Sequence, residues 1–229
     1  MMDLFSAVNV SRLDRFRGVM VGLAAGDALG HPTEFMSLAA IHQRFGPRGI
    51  EAFAATGRHP AGTFTDDTQM AIAVARGLAR KGRQPLDDLM GAIAHEFVAW
   101  AKHPTNDRAP GGTCLAGCRN LASGVHWKQA GVAHSKGCGA AMRAAPVGLY
   151  HWNDDDQLVR VAAAQALLTH GHPTGVASSV AAAAPIAWLV RGGPISGVMA
   201  YTRRMVERLE PAYADGIAEQ LAALDRTER

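Results

Sequence analysis

The chain has 229 residues, of which 48% are hydrophobic, 19% charged and 6% aromatic, and a net charge of +3. That length buries a substantial core, and the composition is that of a soluble globular protein, not a disordered or fibrous one. The mild basic excess suits an anionic small ligand but comes without a lysine-rich tail or basic stripe, so no nucleic-acid partner is expected.

In chain order the sequence reads as helices joined by glycine-rich loops, and the expectation is an all-α fold in a single domain over residues 1–229. The N-terminal stretch MMDLFSAVNVSR has no basic segment followed by an apolar run, so no signal peptide is expected. The apolar stretches are broken by Asp27, Arg76 and Pro185, short of the roughly 18–20 residues of a membrane span. Cys114, Cys118 and Cys138 make no disulfide framework, and the C-x3-C pair lacks a second zinc-ligand pair. A reducing cytoplasm is the expected setting.

RLDRFRGVMVGLAAGDALG (12–30) spaces Gly18, Gly22, Gly26 and Gly30 four apart, along one helix face. Each interior glycine costs about 1 kcal/mol of helix propensity. Close approach of another helix or a ligand is the expected compensation. A second helix is predicted from Asp66 to Arg80. A third, PLDDLMGAIAHEFVAWAK (85–102), places Leu89, Ile93, Phe97 and Trp100 at helical spacing, with Asp87 and Asp88 complementing the dipole of its first turn. Further helices are predicted at 112–124, 154–170, 173–190, 197–210 and 212–226. No run alternates apolar and polar residues as a strand would.

Unusual loops lie between these helices: GHPTEF, GTFTDD, TNDRAPGGT, SKGCGAAMR and THGHP. They are rich in Gly, Asp, Thr and His, which suggests one site assembled at the ends of several helices. In Thr65-Asp66-Asp67-Thr68 a helix cap is one reading, with Thr65 accepting a first-turn N–H and the acids opposing the dipole. A cation site is the other, because a hydroxyl and two carboxylates exceed what a cap requires and suit a hard ion such as Mg²⁺ or Mn²⁺. Asp27, Glu34 and Asp107 add carboxylates from the GDALGHPTEF and TNDRAPGGT stretches. Gly111, Gly112 and Thr113 open a helix with free N–H groups, either an anion cradle or an ordinary turn. Lys136, Gly137 and Gly139 resemble a second phosphate loop but match neither Walker nor Rossmann spacing. Arg143 reads as part of that loop or as a buried ion-pair partner. Of His170 and His172, one reads as a loop ligand or hydrogen-bond donor, with a buried structural histidine as the alternative. Asp154, Asp155 and Asp156 read as a solvated N-cap cluster.

Four motifs in order, GVMVGLAAGDALGHPTEF (18–35), GTFTDDTQMA (62–71), GCGAAMRAAPVGL (137–149) and THGHPTG (169–175), resemble the ADP-ribosylglycohydrolase family. The resemblance runs from Arg15 to about Gly193. It implies an orthogonal all-α bundle with two Mg²⁺ or Mn²⁺ ions in a central cleft. It implies that Thr65, Asp66 and Asp67 are metal ligands and that Glu34 and Asp107 are the catalytic carboxylates. Gly112, Thr113, Gly137, Cys138, Gly139 and Met142 would line an ADP-ribose pocket, with His170 at its edge. The implied activity is metal-dependent hydrolysis of an N- or O-glycosidic ADP-ribosyl linkage on a modified protein or small molecule.

The family completes its two-metal site with a late, glycine-framed Asp-x-Asp motif. The acids after His170, namely Glu207, Glu210, Asp215, Glu219, Asp225 and Glu228, lie in no such context. The expectation is therefore half a metal site, and the alternative function is a non-catalytic relative that binds ADP-ribose-like ligands or acts structurally. An uncovered apolar face, inviting self-association, is expected near residues 175–190 or on the tail helices.

Overall fold

A computed structural model describes residues 10–104 and 106–227. Residues 1–9, read above for a leader, lie outside the described residues, as do Thr105 of the 105–113 loop and residues 228–229. The described residues form α1 (Arg12–Gly30), α2 (Leu38–Phe45), α3 (Asp66–Lys81), α4 (Leu86–Ala101), α5 (Gly112–Ala122), α6 (Trp127–Ala130), α7 (Ala145–Tyr150), α8 (Asp155–Leu167), α9 (Pro173–Val190), α10 (Val198–Glu207) and α11 (Ala214–Thr227). The fold is all-α. Extended pairing among the described residues is limited to two isolated bridges, Thr56 with His59 and Val132 with His170.

The start of α3 follows from local chemistry. The Thr65 hydroxyl accepts from the Asp67 N–H, acids occupy the first turn, and Arg80 and Lys81 occupy the last. Its inner face, Met70, Val74 and Leu78, packs on Leu89, Met90, Ile93 and Phe97 of α4. Each such fully buried side chain contributes roughly 1.5–3 kcal/mol as an upper estimate. The two helices close to near contact at Gly77, where an added Cβ would lie 2.5 Å from Ile93 Cγ1. The Trp100 indole donates to Gln69 at 2.9 Å and ties the far end of the pair.

The centre of the molecule is α9, against which α7, α8, α10 and α11 all pack. Gly148 of α7 and Gly216 of α11 admit it, since a Cβ there would meet Ala183 O at 2.3 Å and Pro173 O at 2.2 Å. With 18 residues and high hydropathy, α9 is long and apolar enough to cross a membrane, which corrects the expectation that no segment reaches that length. Half of it is buried within the fold and none of its residues is exposed, as befits a core helix.

The α9 surface is thus covered, contrary to the expected bare face at 175–190. The large exposed apolar side chains lie mainly at the N-terminal end, with Leu13 and Val21 on α1, then Phe35 at 91% and Leu38 at 68%. The glycines of α1 are likewise not closed by packing. A Cβ at Gly18, Gly22, Gly26 or Gly30 would meet nothing within 4 Å. The predicted close approach is absent among the described residues because α1 lies on the outside, with Ala28 its one buried residue.

The minor expectations resolve locally. Asp154 caps α8 by accepting from the Gln157 N–H at 3.0 Å, and Asp155 and Asp156 pair with Arg191 and Arg208. Asp87 accepts from the Trp127 indole at 2.9 Å, a structural role. Cys114 and Cys118 are core residues.

Candidate cation and nucleotide site

The site begins with Asp27 on α1, to which the sequence reading gave no role. Its carboxylate accepts four hydrogen bonds: from Thr65 N at 2.9 Å, Thr65 Oγ1 at 2.7 Å, Thr68 N at 3.1 Å and Thr68 Oγ1 at 2.6 Å. Asp27 therefore caps α3 from 38 residues away, alongside the local cap by Thr65. With capping done by these two residues, the Asp66 and Asp67 carboxylates are surplus to it.

Asp66 is buried and points toward the start of α5, where its Oδ2 accepts from Gly111 N at 3.0 Å. Its own N–H donates to Arg108 O at 3.1 Å, which locks the 106–111 loop onto α3. Burial, then the charges of Asp67 and Glu34, push the Asp66 carboxyl up to about 7, against the partial relief of the Gly111 N–H. Burial, then Asp27 and Glu34, push Asp67 up to about 6. Glu34 is also raised, first by burial and further by Asp27, although His31 opposes the shift. Asp27, Glu34, Asp66 and Asp67 thus form one mutually repelling cluster. Glu34 reaches it through the 3₁₀ turn His31–Thr33, held by His31 Nδ1 at 3.1 Å from Thr63 O.

The glycine loops face the same cluster. Cys138 is exposed, and its thiol is raised by burial of the sulfur and by the charges of Asp67, Asp66 and Glu34. Gly139 passes so close to the neighbouring side chains that a Cβ would lie 2.5 Å from His170 Cε1 and 2.7 Å from Cys114 Sγ. Thr113 on α5 bonds Ser135 at 3.0 Å, joining the 111–113 turn to the 135–139 loop. Met142 is half-buried behind that loop, against the core. Residues 34, 65–67, 111–113, 137–139 and 170 are therefore brought to one region.

Asp107, Lys136 and Arg143 sit differently from the sequence reading. Asp107 forms an ion pair with Arg58, and the raised carboxylates owe nothing to it. Lys136 is taken by Glu219 of α11 at 2.7 Å, which also accepts from Thr174, so it is not free for a phosphate. His172 caps α9 by accepting from Thr174 N at 3.1 Å, which leaves His170 as the histidine of the site. Arg143 lies in the turn that follows the glycine loop, but its side chain is wholly buried and bonded to neutral acceptors in place of an ion-pair partner.

As a cation site the cluster is chemically suitable but incomplete. Carboxylate oxygens in mutual repulsion are the donor set a hard divalent ion takes. No group of three His, Cys, Asp or Glu side chains is arranged to hold a metal among the described residues. The Thr65 hydroxyl already donates to Asp27 and accepts from Asp67 N. A separate crevice of about 680 Å³ opens over α8 between Trp127, Arg160 and Tyr213 and is lined by none of these acids.

Residues 9–229 match the ADP-ribosylglycohydrolase family. The chain belongs to that family. It is 33% identical over 198 residues to the ADP-ribosyl-[dinitrogen reductase] glycohydrolase of Rhodospirillum rubrum, covering 85% of this chain and 64% of that relative. It is 32% identical to an uncharacterized protein of Archaeoglobus fulgidus, covering 91% of this chain and 65% of the other. An ADP-ribosylarginine hydrolase, Tri1 of Serratia proteamaculans, is 28% identical over 72% of this chain and 44% of its own length. A solved ADP-ribosylglycohydrolase-related protein complex superposes with a TM-score of 0.68 at 28% identity, covering 88% of this chain and 65% of that one. The chain thus spans just under two thirds of the length of the first of these relatives.

Proposed function

We propose that this chain carries the nucleotide-binding half of an ADP-ribosyl hydrolase site, acting on an N- or O-glycosidic ADP-ribosyl linkage of a modified protein or small molecule. The observation that supports this reading best is the meeting of the Glu34, Asp66 and Asp67 carboxylates with the glycine turns at 111–113 and 137–139. Asp66 and Asp67, with the remaining lone pair of Thr65, would hold Mg²⁺ or Mn²⁺. A cation there supplies positive charge that orients ribose hydroxyls and acidifies a water. The N–H groups of Gly112 and Thr113, and those of Gly137 to Gly139, would take the phosphate oxygens.

Glu34 is the better-placed general base. Its charge acts directly on Asp66 and Asp67, which sets it beside the proposed cation, whereas Asp107 is ion-paired with Arg58. In the step proposed, a water adds to the anomeric carbon as the bond to the target breaks through an oxocarbenium-like state. Glu34 takes the water's proton, and the leaving group is protonated from solvent. The three free thiols suit the reducing cytoplasm proposed with this function.

The shortage of ligands favours a second reading, a relative that binds the nucleotide without turning it over. Calorimetric titration with Mg²⁺ or Mn²⁺, with and without ADP-ribose, tests both. Cation binding that is strengthened by ADP-ribose and lost in Asp67→Ala is expected. Equal binding by Asp67→Ala would leave capping as the only role of the motif.

A further inference from the structure

Arg143 is fully buried without a carboxylate partner, an arrangement that demands another explanation. Its five N–H donors are all used. Nε donates to Gln165 Oε1 at 2.7 Å, Nη2 to Gln165 O at 2.9 Å and to Thr169 Oγ1 at 2.7 Å, and Nη1 to the sulfurs of Met70 and Cys114 at 3.8 and 3.7 Å. Thr169 is also fully buried, and its hydroxyl lies 2.8 Å from His170 Nδ1.

A guanidinium cannot accept, so Thr169 Oγ1 accepts from Arg143. The one remaining partner for the hydroxyl hydrogen among the described residues is His170 Nδ1. Were Nδ1 the donor, the Thr169 hydrogen would be buried with no acceptor, at a cost of about 1–3 kcal/mol. Nδ1 must then be bare, and the ring proton of neutral His170 resides on Nε2. A second proton would also set a cation beside Arg143; burial and that charge hold His170 down to about 4. His170 Nε2 has no hydrogen-bond partner among the described residues, yet it is not sealed from solvent although the side chain as a whole is 1% exposed. It lies against the glycine loop, 3.2 Å from where a Gly137 Cβ would stand.

We propose that Arg143 and Thr169 are positioning residues that fix His170 as the Nε2–H tautomer, so that it offers a neutral donor to an oxygen acceptor of the nucleotide at the 137–139 loop. The ligand in this statement rests on the function proposed above. The tautomer does not.

Long-range ¹H–¹⁵N spectra of the imidazoles at pH 7, with His170 assigned by its loss in His170→Gln, read the tautomer directly. His170 is expected to show a protonated Nε2 and a bare Nδ1. Thr169→Val is expected to lose that preference and to weaken ADP-ribose binding about ten-fold, one hydrogen bond's worth. Thr169→Ser, which keeps the hydroxyl, is expected to restore both. A merely structural Thr169 would leave the tautomer unchanged in any variant that folds. Should Thr169→Val not fold, the parent and Thr169→Ser spectra still decide, because an Nδ1–H or doubly protonated ring in either overturns the inference. A wrong tautomer in a chain that binds ADP-ribose overturns the positioning alone. The right tautomer in a chain that does not bind ADP-ribose overturns the assigned ligand together with the proposed function.

Discussion

Asp27 joins structure to site at the level of single residues. It stabilises the start of α3 by receiving two backbone and two hydroxyl donors, and it also raises Asp67. Asp27→Ala would leave the Thr65 and Thr68 N–H groups without their partner. A loss of about 2 kcal/mol is expected in urea unfolding, with loss of cation binding as the 65–68 turn loosens. The acids themselves carry a pH signature. The Asp66 and Asp67 carboxyls stand at about 7 and about 6 in the folded chain, above their ordinary 3.8. The folded state therefore holds more protons than the unfolded one between about pH 4 and 7. Stability from this locus is complete at the acid end and is lost as pH rises through those values. Asp67→Asn should flatten that slope and raise stability at pH 8 by about 1 kcal/mol in chelator, as read by urea midpoints at pH 4.5 and pH 8.

Two kinds of glycine distinguish the elements. On α1, Gly22 faces open space, whereas on α3, Gly77 is pressed against Ile93. Gly22→Ala should stabilise the chain by about 1 kcal/mol through helix propensity, and Gly77→Ala should destabilise it by roughly 1–3 kcal/mol through overpacking. Thermal melts of the two variants check both signs. If Gly22→Ala destabilised, a neighbour would be covering α1 after all. The longer helices were legible because capping acids and periodic apolar residues mark α3, α4, α8 and α9 within a few residues. The short helices α2, α6 and α7 were missed for a matching reason. At 8, 4 and 6 residues they are too brief to show a period, and α7 buries five of its six residues, so no polar face marks it.

For the whole molecule, the cation cluster has fewer ligands than two ions need, since each takes about six oxygens. The chain by itself is expected to turn over an ADP-ribosylated peptide poorly or not at all with Mg²⁺ or Mn²⁺. Turnover at the rate of a full-length relative would refute this and would call for ligands from elsewhere, such as a second subunit. Self-association is expected through exposed apolar side chains at the N-terminal end, such as Leu13, Val21, Phe35 and Leu38. Sedimentation should show concentration-dependent association that Val21→Lys reduces. The bare region differs from the one anticipated because α10 and α11 fold back over α9.

The sequence by itself determined the helical class and the local caps and marked the motif residues that the fold gathers, because helix signals act over about four residues and the Thr-Asp-Asp and glycine-loop motifs are contiguous. Only the tertiary structure decided that Asp27 caps α3 and that Lys136 is spent on Glu219. It likewise turned Asp107 to Arg58 and made Arg143 the hub of a neutral network reaching His170. The reason is distance along the chain. Asp27 meets Thr65 across 38 residues, Lys136 meets Glu219 across 83, and Arg143 meets Met70 across 73. No local pattern encodes such pairs. They form only once the helices that carry them have packed together.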